Sequence, residues 1–377
     1  MAQEFSDKFQ ASCNAAKYKS QNRKHQKQVK KPNMPNRYIT PPNVFHLSFG
    51  ILCFLFASCQ LPVREKNGRA VSSVAGTLNT PDAVNEEYIM ITAAVNLPLY
   101  VHHEQTAFKN WGRQMGVKTT VLGNEEWDVQ KIVEIIEQVI HERPTGLLIN
   151  GTDPGLATAI NKVADAGIPV VVYDSEIEGS HPNCFIGSDW YSMGYKQGER
   201  VVQLTGGKGK VACLGILGMS NQEAGMQGLQ DALKQSPGIT FIGKYNDAAN
   251  LETAAKVTSD VITANPGITA ICGFTSATGP GIALAVREAG KTGKIKVTTV
   301  DFEPEHLKLI QDGVIQYTVG QKRELFGSYG AQLLFDRAHR KNLFSNNDPA
   351  AGVNPMPVHV NTGLIEIDQS NVKYFIY

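Results

Sequence analysis

Two aspartates are placed where a side chain can meet a ligand. Asp174 closes the apolar run PVVVYD (169–174) and Asp301 closes IKVTTVD (295–301). A carboxylate at the end of a buried strand can accept two hydrogen bonds from neighbouring hydroxyls, and such charge-assisted bonds are stronger than neutral ones. Paired acids, one in each half of the chain, therefore suit a polyol or a sugar. The competing role is capping of the next helix, most directly for Asp301, which precedes Phe302-Glu303-Pro304. Asp189 stands before an apolar helical run and is assigned to capping.

Other chemistries lack their residues. There is no G-x-S-x-G, no H-E-x-x-H and no cysteine with an evident histidine partner, so no enzymatic activity is expected. Asn96-Leu97-Pro98-Leu99-Tyr100 follows the first strand, where a dinucleotide fold would place glycines; none is present, and Pro98 removes an amide donor. Gly206-Gly207-Lys208-Gly209-Lys210 and Gly290-Lys291-Thr292 precede strands, so both read as turns and not as phosphate loops. No cofactor and no metal site are expected: Cys184, Cys213 and Cys272 form no C-x-x-C, and the last two lie in apolar runs as small buried hydrophobes. His102 and His103 stand just inside the first helix, where they face either the cleft or, as the preferred reading, solvent at the helix start.

The elements that must carry the aspartates follow from periodicity. Apolar runs alternate with helical patterns from Tyr88 onward: YIMITAA, then a helix from about Tyr100 to Met115; VKTTVL, then Val129 to Glu142; GLLIN, then Leu156 to Ala166; PVVVY. After NCFIGSD the alternation restarts through helices at 190–204, 221–234, 251–264 and 282–289. This pattern gives parallel sheets covered by helices, and its length favours two domains with a cleft between them over one very wide sheet. Ligands of such folds bind beyond the carboxyl ends of the strands. Gly167 and Gly290 match the left-handed glycine that ends a helix.

The chain has 377 residues, 42% of them hydrophobic, and a formal charge of +1, which fits a globular protein and argues against nucleic-acid binding. The charge is unevenly placed. Residues 1–59 carry nine basic residues against Glu4 and Asp7, so they form a basic leader on a mildly acidic body. Val44 to Ser58 (VFHLSFGILCFLFAS) is an uncharged apolar segment behind that basic region and ends in small residues before Cys59, as an export signal does. Residues 60–87 are polar and aperiodic and read as a tether.

Several segments together resemble the periplasmic sugar-binding proteins of ABC transporters, of the ribose/galactose-binding type. They are Asn96-x-Pro98-x-Tyr100, LLINGTDP (147–154), AGIPVVVYDSE (166–176), IGSDWYSMG (186–194), VTTVDFEP (297–304) and DGVIQYTVGQ (312–321). The resemblance implies an α/β fold of two Rossmann-like parallel-sheet domains joined by a three-strand hinge, the type I periplasmic binding protein. It implies that Asn96, Leu99 and Tyr100 form the first ligand-facing loop, that Asp174 and Asp301 bind sugar hydroxyls, and that Gln321 lines the cleft. The hinge crossings would fall near Ser188–Asp189, Phe302–Glu303 and Gln321–Lys322. The expected division is a leader (1–59), a tether (60–87), an N-terminal lobe (88–188 with 322–350) and a C-terminal lobe (189–321 with 351–377).

The family's arginine in an E-R-x-x-G-F segment has no counterpart in Asn221–Leu229, and its Asn-Asp pair after the seventh strand is Thr275-Ser276 here. Gln222, Glu223, Thr275 and Ser276 are the expected polar replacements, and Trp190 and Phe274 read either as stacking partners or as core. Phe56-Ala57-Ser58-Cys59 resembles a bacterial lipobox, which implies lipidation at Cys59 and a membrane anchor. The function implied is capture of a small sugar or polyol in the periplasm or at the cell surface and delivery to an ABC permease. The alternative is a receptor partnering a membrane sensor kinase. A related class, the transcription regulators, needs an N-terminal helix-turn-helix, and an apolar export segment occupies that place instead.

Overall fold

The computed structural model describes residues 86–341 and 343–376. The leader, Cys59 and nearly all of the tether lie outside the described residues. The chain starts with β1 (Glu87–Thr92), an α turn (Pro98–Tyr100), a π-helical turn (Val101–Gln105) and helix α1 (Thr106–Met115). It continues through β2 (Lys118–Gly123), α2 (Val129–Glu142), β3 (Gly146–Asn150), α3 (Ala157–Asp165), β4 (Val170–Asp174) and β5 (Cys184–Gly187). The next stretch holds α4 (Trp190–Thr205), β6 (Lys208–Gly215), α5 (Ser220–Lys234), β7 (Gly238–Asn246), α6 (Leu251–Ala264), β8 (Ile268–Gly273), α7 (Thr278–Glu288), β9 (Lys296–Val300), α8 (Pro304–Gln311) and β10 (Tyr317–Gln321). Helix α9 (Arg323–Ala338), β11 (His359–Asn361) and β12 (Leu364–Asp368) complete it.

Two six-stranded sheets result, in the orders β11-β5-β4-β3-β1-β2 and β12-β10-β9-β8-β6-β7. Every described pairing is parallel except β10 with β12. Parallel strands covered on both faces must be apolar throughout, and β3, β4 and β5 are buried at every position. In the N-terminal lobe one face of the sheet packs Ile132, Ile136 and Val139 of α2 and Ile160 of α3, the other Phe108 and Trp111 of α1 with Phe326 and Leu334 of α9. The second lobe repeats this double cover, with α4 and α5 on one face and α6, α7 and α8 on the other. Cys213 and Cys272 lie inside that second core, and burial pushes the Cys272 thiol up to about 12.

Helices α4 and α5 approach closely because their contact is made of glycines. A Cβ on Gly194 would stand 1.7 Å from the Gly225 carbonyl oxygen. Asp189 caps α4, accepting from the Ser192 amide at 3.1 Å, in the capping role read from its position.

The chain crosses between the sheets after β5, after β10 and between β11 and β12. Ser188–Asp189 and Gln321–Lys322 are crossing points. Phe302–Glu303 is not one, because β9, α8 and β10 all stay with the second sheet and β9 pairs parallel with β10. The third crossing is at Thr362–Gly363. Residues 351–361 therefore belong beside the first sheet, with His359–Asn361 in register with Phe185–Gly187, and not with the C-terminal lobe as expected. The run VHVNTGLIEI looks like one strand, but Gly363, at φ +74°, breaks it and directs the two pieces to different sheets.

Candidate functional site

The two aspartates share an unusual backbone conformation. Asp174 has φ +78° and Asp301 φ +65°, each where its strand ends. The left-handed region is costly for most residues, and Asp is among the few that enter it, through local hydrogen bonding. Non-glycine residues held there recur at ligand clamps. Both side chains are buried, Asp174 in the N-terminal lobe and Asp301 in the C-terminal lobe.

Around Asp174 the described polar groups form one network centred on Arg323. The guanidinium Nε and Nη2 donate to the two oxygens of Glu104 at 2.9 and 2.6 Å, Nη2 also donates to Asp174 Oδ2 at 3.0 Å, and Nη1 donates to Gln321 Oε1 at 2.8 Å. Its Cζ lies 5.1 Å from the Tyr100 ring centre. Asn150 Nδ2 adds a 3.4 Å contact to Asp174 Oδ2. These bonds leave Asp174 Oδ1 and Gln321 Nε2 buried with no protein partner. Burial, with the carboxylates of Asp174 and Asp301 nearby, pushes the Tyr100 hydroxyl well above the usual tyrosine range. Burial likewise raises Asp301 to about 6, opposed by Arg323 and reinforced by Asp174. Asp174, Asp301, Tyr100 and Gln321 are thus brought together.

The other expected residues are placed differently. Leu99 is buried against Ala93 and Tyr100, while Asn96 is exposed at the start of the same loop. Thr275 is spent on the helix start: its hydroxyl is 2.7 Å from that of Thr278, and each side chain bonds the other's amide, capping α7. Glu223 pairs with Lys244 and accepts from the Gly218 amide at 3.1 Å. Phe274 is fully buried in the core, whereas Trp190 lines a cavity of about 370 Å³ between the lobes. Asp174, Ser175, Tyr191 and Asn221 also line that cavity; Asp301 does not.

Sequence reasoning missed Arg323 and Glu104. It preferred solvent to the cleft for His102 and His103; His102 is exposed, whereas His103 takes the cleft-facing alternative. His103 bridges Glu303 and Glu324. The available signal was slight: a Lys-Arg-Glu string directly after Gln321, which reads equally as a solvated helix start.

An α/β protein of two doubly wound lobes, joined by three crossings and with a buried aspartate at a strand end in each, is built as a type I periplasmic binding protein. Residues 89–342 match the sequence profile of the periplasmic binding protein domain, and the chain belongs to that family. It is 25% identical over 270 residues to the D-allose-binding periplasmic protein of Escherichia coli, covering 69% of this chain and 86% of that one. Among solved structures it resembles a sugar ABC transporter sugar-binding protein of Bacillus halodurans, with TM-score 0.72, 26% identity, and 77% of this chain and 100% of that one covered. An arabinose-binding protein of Geobacillus stearothermophilus gives TM-score 0.69 and 27% identity over 78% of this chain and 99% of the other. Among the described residues no helix is long and apolar enough to cross a membrane.

Proposed function

We propose that the protein is an exported receptor that closes its two lobes on a small sugar or polyol and delivers it to an ABC permease. The observation that carries this is the pair Asp174 and Asp301: one per lobe, both buried, both left-handed at a strand end, and with Asp174 Oδ1 unpartnered. The relatives named for D-allose, arabinose and sugar binding support the ligand class.

Asp174 Oδ1 and the Asp301 carboxyl accept hydrogen bonds from ligand hydroxyls, Gln321 Nε2 donates one, and Tyr100, with Leu99 and Asn96 of its loop, walls the site. Glu223 and Thr275 contribute only if their present partners release them. A ligand touching both lobes binds the closed form better than the open one, and that difference is what closes the protein. Lipid attachment at Cys59 rests on the Phe56–Cys59 string alone.

Thermal-shift screening of the full-length protein against D-allose, D-ribose, L-arabinose, hexoses, hexosamines and polyols tests the reading, because ligand at about 100 times its dissociation constant adds about 2.7 kcal/mol. A response that disappears in Asp174→Asn is expected. No response to any member of the panel overturns it. Incorporation of labelled palmitate, lost in Cys59→Ser, tests the anchor.

A further inference from the structure

The cleft is short of positive charge. Glu104, Asp174 and Asp301 all act on one another or on Arg323. Arg323 is committed chiefly to Glu104, which takes two of its N–H groups with both carboxylate oxygens and is itself fully buried. What remains for Asp174 is one bond at 3.0 Å. Asp301 is reached by no side-chain hydrogen bond among the described residues, and only its backbone carbonyl takes one, from Thr318. The next cation, His103, is held between Glu303 and Glu324 and brings more acid than it balances. Three buried carboxyls thus share one guanidinium, and burial raises Asp301 for want of a partner.

A neutral sugar would satisfy the free atoms through its hydroxyls but leave that excess charge in place. An ammonium group brings three donors and a charge, and buried carboxylates are stabilised far more by an opposite charge than by a neutral donor. A second carboxylate or a phosphate would add to the excess. We infer that the cleft selects an amino sugar over its neutral parent and excludes sugar acids, with the ammonium between Asp174 Oδ1 and the Asp301 carboxyl and a ligand oxygen on Gln321 Nε2. This rests on the sugar-receptor reading and narrows it.

Isothermal titration calorimetry of the full-length protein near neutral pH decides it. The probes are the gluco, galacto, manno and allo series, each as 2-amino-2-deoxyhexose, neutral hexose and hexuronate, with D-ribose and L-arabinose beside them. In at least one series the amine should bind about tenfold tighter than its parent, equivalent to one pKa unit of charge interaction, and no hexuronate should bind. Asp301→Asn should bring the amine-to-parent ratio toward one. If the neutral sugars or pentoses bind and no amine binds tighter than its parent, the inference fails and the receptor reading stands. It also fails if the preference for the amine persists in Asp301→Asn. If nothing binds, both fall.

Discussion

His103 is gripped by Glu303 across the cleft: Nε2 stands 2.7 Å from Glu303 Oε1, joining the helical stretch after β1 to the loop after β9 in the other lobe. Its Nδ1 is 2.7 Å from Glu324 Oε1 at the start of α9. His102 Nδ1 touches the second oxygen of Glu303 at 3.3 Å. Burial opposes charging of the His103 ring, but the two glutamates prevail and raise its pKa to about 9. A raised histidine contributes stability that is fully present below its ordinary pKa and is lost as pH rises through about 9.

Glu303→Gln should therefore melt below wild type near neutrality, and the gap should close as pH passes 9. Melting temperatures of both proteins across that range, with the His103 ring followed by NMR, check this. A constant gap at all pH values would mean that the contact holds by packing and not by charge.

Asp301 behaves in the opposite sense to a paired carboxylate. Its pKa is raised to about 6, so it favours folding below its ordinary range and costs stability as pH rises through about 6. Asp301→Asn should stabilise the ligand-free protein at neutral pH by about 3 kcal/mol while weakening, without abolishing, its response to sugar. Asn is the right replacement, since Ala at φ +65° would add its own strain. Urea unfolding with and without ligand reads both effects.

Arg323→Ala would strand Glu104, which is fully buried and accepts from no other side chain in the network. Removing one partner of such a pair costs about 3–5 kcal/mol. Arg323→Lys should recover only part of this, because an ammonium cannot serve Glu104, Asp174 and Gln321 in the plane that the guanidinium fork supplies. Chemical denaturation of the three proteins measures it.

Gly194→Ala should destabilise the C-terminal lobe by about 1–3 kcal/mol, because the added methyl meets the Gly225 backbone and not a movable side chain. The expected signature is a lower denaturation midpoint with ligand specificity unchanged.

Much of the fold was legible because strands buried on both faces have no freedom of composition, and because the α2 stripe Ile132, Ile136, Val139 can belong only to a core. Asp174 and Asp301 were legible for a related reason: an acid ending an apolar run is conspicuous. Arg323 was not, since burial of a charged residue depends on Glu104 and Asp174, which meet it only after the chain has returned to the first lobe. The start of α7 was missed because Thr278-Gly279-Pro280-Gly281 carries turn formers, and the Thr275–Thr278 exchange that starts that helix depends on the fold of the loop. The third crossing was hidden in a run whose two strands differ only in which sheet edge receives them.

That crossing ties the pivot together. β11 borders β5 and β12 borders β10, Ser188 Oγ donates to the Gly363 carbonyl at 3.1 Å, and the Thr362 amide donates to Gly187 at 2.8 Å. The three crossings form one bonded ribbon instead of three separate threads, so a twist of one lobe against the other would strain these bonds more than a bend across them. Because Gln321 ends β10 at the outer edge of that ribbon, a ligand oxygen bonded to its Nε2, as proposed, would pull directly on the axle.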